Sequence, residues 1–199
     1  RQLSEFATAR GAEIGYENVF DYSLGNPSVP VPQEFTDRMI HMLATQETNV
    51  LHGYSPSLGI TSVREAVAAS LSERFGIPYK AEHIFMASGA AGALAHAFRL
   101  VTEPGDEILT FAPFFPEYNP YVNLTGAVLK IVPPNTADFQ INFEAFEEML
   151  NEKTMAVLIN TPNNPSGIVY SKETIESLAE TLRKKSAEYG HDIFIISDE

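Results

Sequence analysis

Residues 155–199 read MAVLINTPNNPSGIVYSKETIESLAETLRKKSAEYGHDIFIISDE, and this stretch decides the fold. It opens on an apolar run, Met155 to Ile159, that ends at Asn160. A turn-rich loop follows, Thr161-Pro162-Asn163-Asn164-Pro165-Ser166-Gly167. Ser171 is placed to cap a helix, with Glu173 in the first turn facing the positive end of the dipole. Ile175, Leu178, Ala179 and Leu182 share one stripe of that helix, which the pattern carries to Glu188. A second apolar run, Ile193 to Ile196, is a strand, and Ser197-Asp198-Glu199 follow it. Strand, helix and strand in this order define an α/β alternation.

The alternation extends upstream. Strands are predicted at 84–86, 107–111 and 127–132. A helix leads from Gly89-Ala90-Ala91-Gly92 to Val101, a short one follows Ala112-Pro113-Phe114-Phe115-Pro116, and another covers 143–150. Before the first strand, two helices are predicted. One covers 33–46 with Phe35, Met39, Met42 and Leu43 on a stripe, and one covers 61–75 with Val63, Val67 and Leu71 at spacing four. Residues 1–32 form a mixed lead-in whose prolines at 27, 30 and 32 favour an extended arm. Several strands are near-continuous apolar runs, as in sheets covered by helices on both faces. The expected fold class is therefore α/β, a three-layer sandwich around a mostly parallel sheet. Residues 1–50 would be an N-terminal arm and first helix, and 51–199 the first, incomplete part of the α/β domain.

Composition narrows the partners. The 199 residues are 44% hydrophobic and 20% charged, an ordinary globular mixture that excludes a disordered or collagen-like chain. A net charge of −13 argues against nucleic acid and anionic membranes as main partners, because both would be repelled. There is no cysteine, hence no disulfide framework or thiolate chemistry, and a reducing cytoplasm is the simplest setting. No apolar run approaches the roughly 18 residues of a membrane span. No metal site is expected. The chain starts without Met and stops just after an apolar run, so it is expected to be cut from something longer.

In parallel sheets ligands sit beyond the carboxyl ends of the strands. That rule gathers Ser88-Gly89-Ala90-Ala91, the loop from Pro113 to Tyr118, the loop from Thr161 to Gly167, and Asp198 along one edge. Gly89, Ala90 and Ala91 offer backbone N–H groups at a helix start, a geometry that suits phosphate. Taken alone, such small residues more often serve close packing of a helix on a strand. Phe115 in a Pro-flanked loop can lie on a heteroaromatic ring, although a lone Phe is more often a core residue. Asn164 fits ordinary turn chemistry as well as an amide donor. Asp198 reads either as a cap or turn residue, or as a carboxylate that keeps a ring nitrogen protonated. A phosphate cup, a stacking face, an amide donor and a carboxylate together suit a phosphorylated pyridine, the pyridoxal phosphate that acts as an electron sink.

These words also carry a resemblance. Leu24-Gly25-Asn26-Pro27, Gly53-Tyr54-Ser55-Pro56, Ser88-Gly89-Ala90-Ala91-Gly92, Pro104-Gly105-Asp106-Glu107, Ala112 to Tyr118, Asn160 to Gly167 and Ser197-Asp198-Glu199 keep one order and spacing. In this the chain resembles the N-terminal half of a fold-type I, pyridoxal-phosphate-dependent aminotransferase of class I/II. The resemblance implies that 51–199 begins that family's large cofactor-binding domain. It implies that Gly89, Ala90 and Ala91 hold the cofactor phosphate and that Phe115 stacks on the pyridine. It further implies that Asn164 donates to the phenolic oxygen and that Asp198 pairs with the ring nitrogen. Gly25 would sit by the substrate carboxylate. Tyr54 would reach the phosphate of a neighbouring subunit, so a homodimer is implied, with an amino acid and a 2-oxo acid as substrates. Two positions depart from the family: Ala91 lacks the hydroxyl often found in the cradle, and Phe115 stands where Tyr is common.

The family's Schiff-base lysine lies downstream of the Asp198 word. Lys80, Lys130, Lys153, Lys172, Lys184 and Lys185 all precede it, on predicted surface segments or helix ends. Arg64 and Arg74 read as solvated helix faces. Arg99 lies eight residues beyond Ala91, roughly 12 Å along the axis, too far to reach the phosphate. The fragment alone is expected to be inactive. A β-elimination lyase or decarboxylase of the same fold, and a non-catalytic domain of that fold, remain alternatives. A nucleotide-binding module is disfavoured, because neither the G-x-G-x-x-G fingerprint nor a P-loop lysine is present.

Overall fold

The computed structural model describes residues 2–21 and 29–199. Gly25 and the word around it lie outside the described residues. The chain divides into two units, Arg1–Ser55 and Pro56–Glu199.

The first unit holds α1 (Gln2–Ile14), a 3-10 turn at Tyr16–Asn18, α2 (Gln33–Thr45) and the single turn α3 (Thr48–Leu51). The lead-in is thus partly helical, contrary to expectation. Leu3, Phe6, Ala7 and Arg10 follow helical spacing and line a small hollow with Val19 and Phe20. Gly11, where the Tyr16 ring comes too close to admit a Cβ, is the unit's only buried residue among those described. α2 forms where periodicity put it, but Phe35, Met39 and Leu43 of its stripe stay exposed within this unit.

The second unit begins with α4 (Thr61–Phe75) and a 3-10 turn at Ala81–His83. It continues through α5 (Gly89–Val101), β1 (Glu107–Phe111), α6 (Tyr118–Asn123), β2 (Val128–Val132), α7 (Phe143–Met149), β3 (Thr154–Asn160), α8 (Lys172–Tyr189) and β4 (Phe194–Asp198). The four strands form one sheet in the order β2-β1-β3-β4, all parallel.

Alternation along each strand sorts the core into two layers. Ile108, Ala156 and Leu158 pack against Leu94 and Phe98 of α5 and Tyr118 and Val122 of α6. Leu109, Val157 and Ile159 pack against Phe146 of α7 and Leu178 and Leu182 of α8. Helices thus cover both faces, and the central strands β1 and β3 are almost wholly buried. Each fully buried Leu or Phe is worth roughly 1.5–3 kcal/mol. The edge strands β2 and β4 are half-exposed, so their apolar runs marked membership of the sheet and not a central place in it.

Two further expectations need correction. Residues 84–86 are extended at Ile84 yet form no strand. The Ile84 N–H donates locally to the Ala81 carbonyl at 3.1 Å and the Met86 N–H makes a long bond to the Leu58 carbonyl at 3.4 Å, and no sheet strand among the described residues pairs with them. Arg64 is not a solvated face. It is half-buried, and its guanidinium donates to the carbonyls of Ile84 at 2.8 Å and Ala81 at 2.6 Å, tying α4 to the segment that leads into α5. A charged head with five donors can serve as backbone scaffolding, which helical spacing does not reveal.

Candidate functional site

Strand register sets the level of the rim. Asn160 faces Asp198 across β3 and β4, and Phe111 faces Val132 across β1 and β2. The loops leaving β1 and β3 and the end of β4 therefore emerge together. Parity sets the face. Asn160 shares the side of Ala156 and Leu158, and Asp198 shares the side of Ile196, which packs in the α5–α6 layer.

α5 runs antiparallel to the strands. Its C-terminal Thr102 meets Thr125 at 3.2 Å, and Gly105 donates to the Gly126 carbonyl, both at the amino end of the sheet. Thirteen residues span about 20 Å, so the first turn of α5 reaches the opposite, carboxyl edge. That first turn is open. Asn142 caps α7 by accepting from the Ala145 N–H at 3.2 Å, and Ser171 caps α8 by accepting from the Thr174 N–H at 3.1 Å. Ser88, at the same position of α5, accepts nothing with its side chain. Gly89 holds a left-handed φ of 71°, and an added Cβ there would meet no atom within 4 Å. Ala90 and Ala91 are exposed. The Gly89 N–H bonds back to the Ala87 carbonyl at 3.2 Å, so the open N–H groups at this positive dipole end are those of Ala90 and Ala91.

Tyr118 is 1% exposed and donates its hydroxyl to Asp198 Oδ2 at 2.6 Å. Burial first, then this hydrogen bond and the neighbouring carboxylate charge, push its hydroxyl well above the ordinary tyrosine value. Tyr118 is therefore a neutral donor that fixes one oxygen of Asp198. Asp198 itself is half-buried, the last residue of β4. Phe115 lies one helical turn before Tyr118, its ring edge-to-face with the Tyr118 ring at 5.5 Å and 81°, and remains half-exposed.

The loop after β3 divides its two asparagines. Asn163 is buried and holds the turn, accepting from the Ser166 N–H at 3.1 Å and the Ser166 hydroxyl at 2.7 Å. Asn164 is exposed, and its N–H donates to Asn160 Oδ1 at 2.6 Å. The Asn160 amide also donates to the Asp198 carbonyl at 2.8 Å. The peptides Ala112-Pro113, Thr161-Pro162 and Asn164-Pro165 are cis.

Phe115, Asn164 and Asp198 thus belong to one hydrogen-bonded and packed neighbourhood, and α5 brings Gly89, Ala90 and Ala91 to the same edge and face. Tyr54 lies in the other unit, fully exposed. A hollow of about 810 Å³ runs beside the last turns of α8 and the start of β4, away from this edge. Tyr118 and Asn160 were not singled out from sequence. The available signals were the i, i+3 spacing from Phe115 and a polar residue closing a buried strand.

The six lysines stand elsewhere. Lys130 lies on the α7–α8 face of the sheet and pairs with Glu107 at 3.6 Å. Lys153 precedes β3 at the amino edge, and Lys172, Lys184 and Lys185 ride on α8 in the opposite layer. Lys80 pairs with Glu82 at 3.5 Å.

An open helix start, a half-exposed aromatic and a phenol-held carboxylate at the carboxyl edge of a parallel sheet define a site for an anionic, ring-bearing ligand. The chain belongs to the aminotransferase class I and II family, whose model matches residues 17–199. It is 33% identical to aspartate aminotransferase of Thermotoga maritima over all of this chain and 53% of that protein. It is 32% identical to methionine aminotransferase of Escherichia coli over 96% of this chain and 47% of that protein. The solved structure of an aminotransferase from Eubacterium rectale superposes with a TM-score of 0.96 at 46% identity, covering all of this chain and 50% of that one. The chain spans about half the length of the curated relatives it matches. Pyridoxal phosphate is the cofactor of these homologues. The donor set fits that group: open N–H groups for a dianionic phosphate, a ring face, an exposed amide and a fixed carboxylate.

Proposed function

We propose that the whole protein is a pyridoxal-phosphate-dependent aminotransferase that moves an amino group between an amino acid and a 2-oxo acid. This chain would contribute the half that holds the cofactor. Bound at this rim, pyridoxal phosphate supplies an electron sink for the carbanion formed at the amino acid's α-carbon.

The chain's own residues bind and orient. The N–H groups of Ala90 and Ala91, with Gly89, take the phosphate at the dipole end of α5. Phe115 covers the ring and excludes water from one face. Asn164 donates its amide to the phenolic oxygen and favours the deprotonated form there. Asp198 keeps the proton on the ring nitrogen, and Tyr118 prevents that carboxylate from turning away. Gly25 would meet the substrate carboxylate through its backbone. Tyr54 would serve the phosphate of a second subunit in a homodimer, a role its full exposure supports. The proton-shuttling lysine is assigned to the remaining half, since none of this chain's lysines is a bonded or stacked partner of Phe115, Asn164 or Asp198. By itself the chain is inactive in transamination. A cysteine-free composition suits a cytoplasmic enzyme.

The observation that carries this proposal is the 2.6 Å bond from a buried, neutral phenol to the carboxylate closing β4. The test is a screen of amino donors against a 2-oxo acid with full-length protein and pyridoxal phosphate. Asp198→Ala is expected to abolish turnover while only weakening cofactor binding. Normal turnover in that variant refutes the assignment.

A further inference from the structure

Asn160 spends both ends of one amide on the two residues assigned to opposite sides of the ring. Its Nδ2 donates to the Asp198 backbone carbonyl at 2.8 Å, and its Oδ1 accepts the Asn164 N–H at 2.6 Å. Neither bond is a backbone rung of the sheet, in which Asn160 and Asp198 stand in register. A single planar, half-buried side chain makes both.

The chemistry of the amide is specific. An amide has a donor and an acceptor at a fixed spacing on one plane, which neither a carboxylate nor a hydroxyl offers. The first bond anchors the main chain beneath the Asp198 carboxylate, whose Oδ2 is held separately by Tyr118. The second anchors the main chain of Asn164, whose own side chain is exposed. We propose that Asn160 is a positioning residue that gauges the distance between Asn164, at the phenolic oxygen, and Asp198, at the ring nitrogen. This rests on the cofactor site proposed above. Asn160 touches neither cofactor nor substrate, and its effect passes through both partners at once.

The test uses full-length holoprotein, with pyridoxal phosphate as the probe. Asn160→Asp keeps the shape and the acceptor but loses the donor to Asp198. Asn160→Ser adds no charge and shortens the arm. The readouts are the pH midpoint of the bound cofactor's visible absorbance, the cofactor Kd, kcat separately from KM, and the melting temperature of the apoprotein. Without its Asn160 acceptor in Asn160→Ser, Asn164 no longer holds its amide at the phenolic oxygen, which disfavours the deprotonated form there, so the midpoint is expected to rise by about half a unit or more in that variant and by less in Asn160→Asp, which keeps the acceptor. Turnover is expected to fall about tenfold with KM little changed, as for an interaction that matters after binding. Asn164→Ala should raise the midpoint alone. A midpoint and kcat within error of the wild type in Asn160→Ser overturn the proposal. So does a lowered melting temperature with an unmoved midpoint, which marks a structural role only. If Asn160→Asp does not fold, Asn160→Ser decides by the same readouts. If the wild type develops no visible band with pyridoxal phosphate, the cofactor site itself fails, an outcome distinct from a wild type that binds and variants that match it.

Discussion

Replacing Tyr118 by Phe removes one hydroxyl and leaves the buried ring in place, so it isolates the hydrogen bond to Asp198. Bonds to charged groups contribute about 1.5–3 kcal/mol. Asp198 is half-buried, and water can replace part of the lost donation. The cost at pH 7 should therefore sit at the low end, about 1.5 kcal/mol. The sign of the pH dependence follows from the raised Tyr118 value. A hydroxyl kept neutral by the fold contributes its stability fully below the unfolded-state value near 10, and loses it as pH climbs toward the folded value. One unit above the unfolded value, each such tyrosine costs about 1.4 kcal/mol of stability.

Tyr170 provides an internal standard, because burial pushes its hydroxyl up to about 12. Between pH 7 and pH 11 the wild type should lose about 2.8 kcal/mol through the two tyrosines, and Tyr118→Phe only about 1.4 through Tyr170. The gap between the two proteins should thus close almost completely by pH 11. The assay is urea denaturation of the apoprotein at both pH values, followed by circular dichroism. A gap that stays constant across the two pH values refutes the buried, neutral donor.

Two other substitutions test the helix starts. Gly89→Ala meets no neighbouring atom, so its cost is the left-handed backbone alone, about 1–2 kcal/mol. Cofactor titration of the full-length protein should show weaker phosphate binding, and unchanged binding would remove Gly89 from the cradle. Ser171→Ala deletes the cap of α8 and should cost about 1 kcal/mol in denaturation experiments with no effect on cofactor affinity.

What was legible in the sequence is what local rules control. α8 announced itself by Ser171, by Glu173 in the first turn and by a stripe that includes Leu178 and Leu182, both buried. β1 and β3 announced themselves as continuous apolar runs, because helices cover both of their faces. α1 escaped notice because Gly11 interrupts a sparse apolar pattern. Residues 84–86 looked like a strand because apolar, β-prone side chains set an extended conformation locally. A strand also needs a paired neighbour, and propensity is silent on pairing. The site divides in the same way. Asp198, at the end of one strand, and Asn164, in the loop after another, could be listed as soon as a parallel sheet was expected. Tyr118 and Asn160 act on Asp198 across 80 and 38 residues of sequence, and no periodicity encodes such contacts.

The same division explains why this rim and not another edge is suited to a ligand. Along most of the second unit, local demands are met by local groups. Asn142 and Ser171 cap their helices, Asn163 closes its own turn, and Gly190 ends α8 in a left-handed conformation with its N–H on Ser186. At the rim the local partners are withheld. Ser88 leaves the α5 start uncapped, Gly89 adopts a conformation that only glycine holds cheaply, and Asn164 keeps its side chain in the open. Long-range contacts then fix what local ones do not, with Tyr118 on the carboxylate of Asp198 and Asn160 on the main chains of Asn164 and Asp198. Open donors held on rigid supports are what a site requires when a small anion and a flat ring must be bound in one orientation.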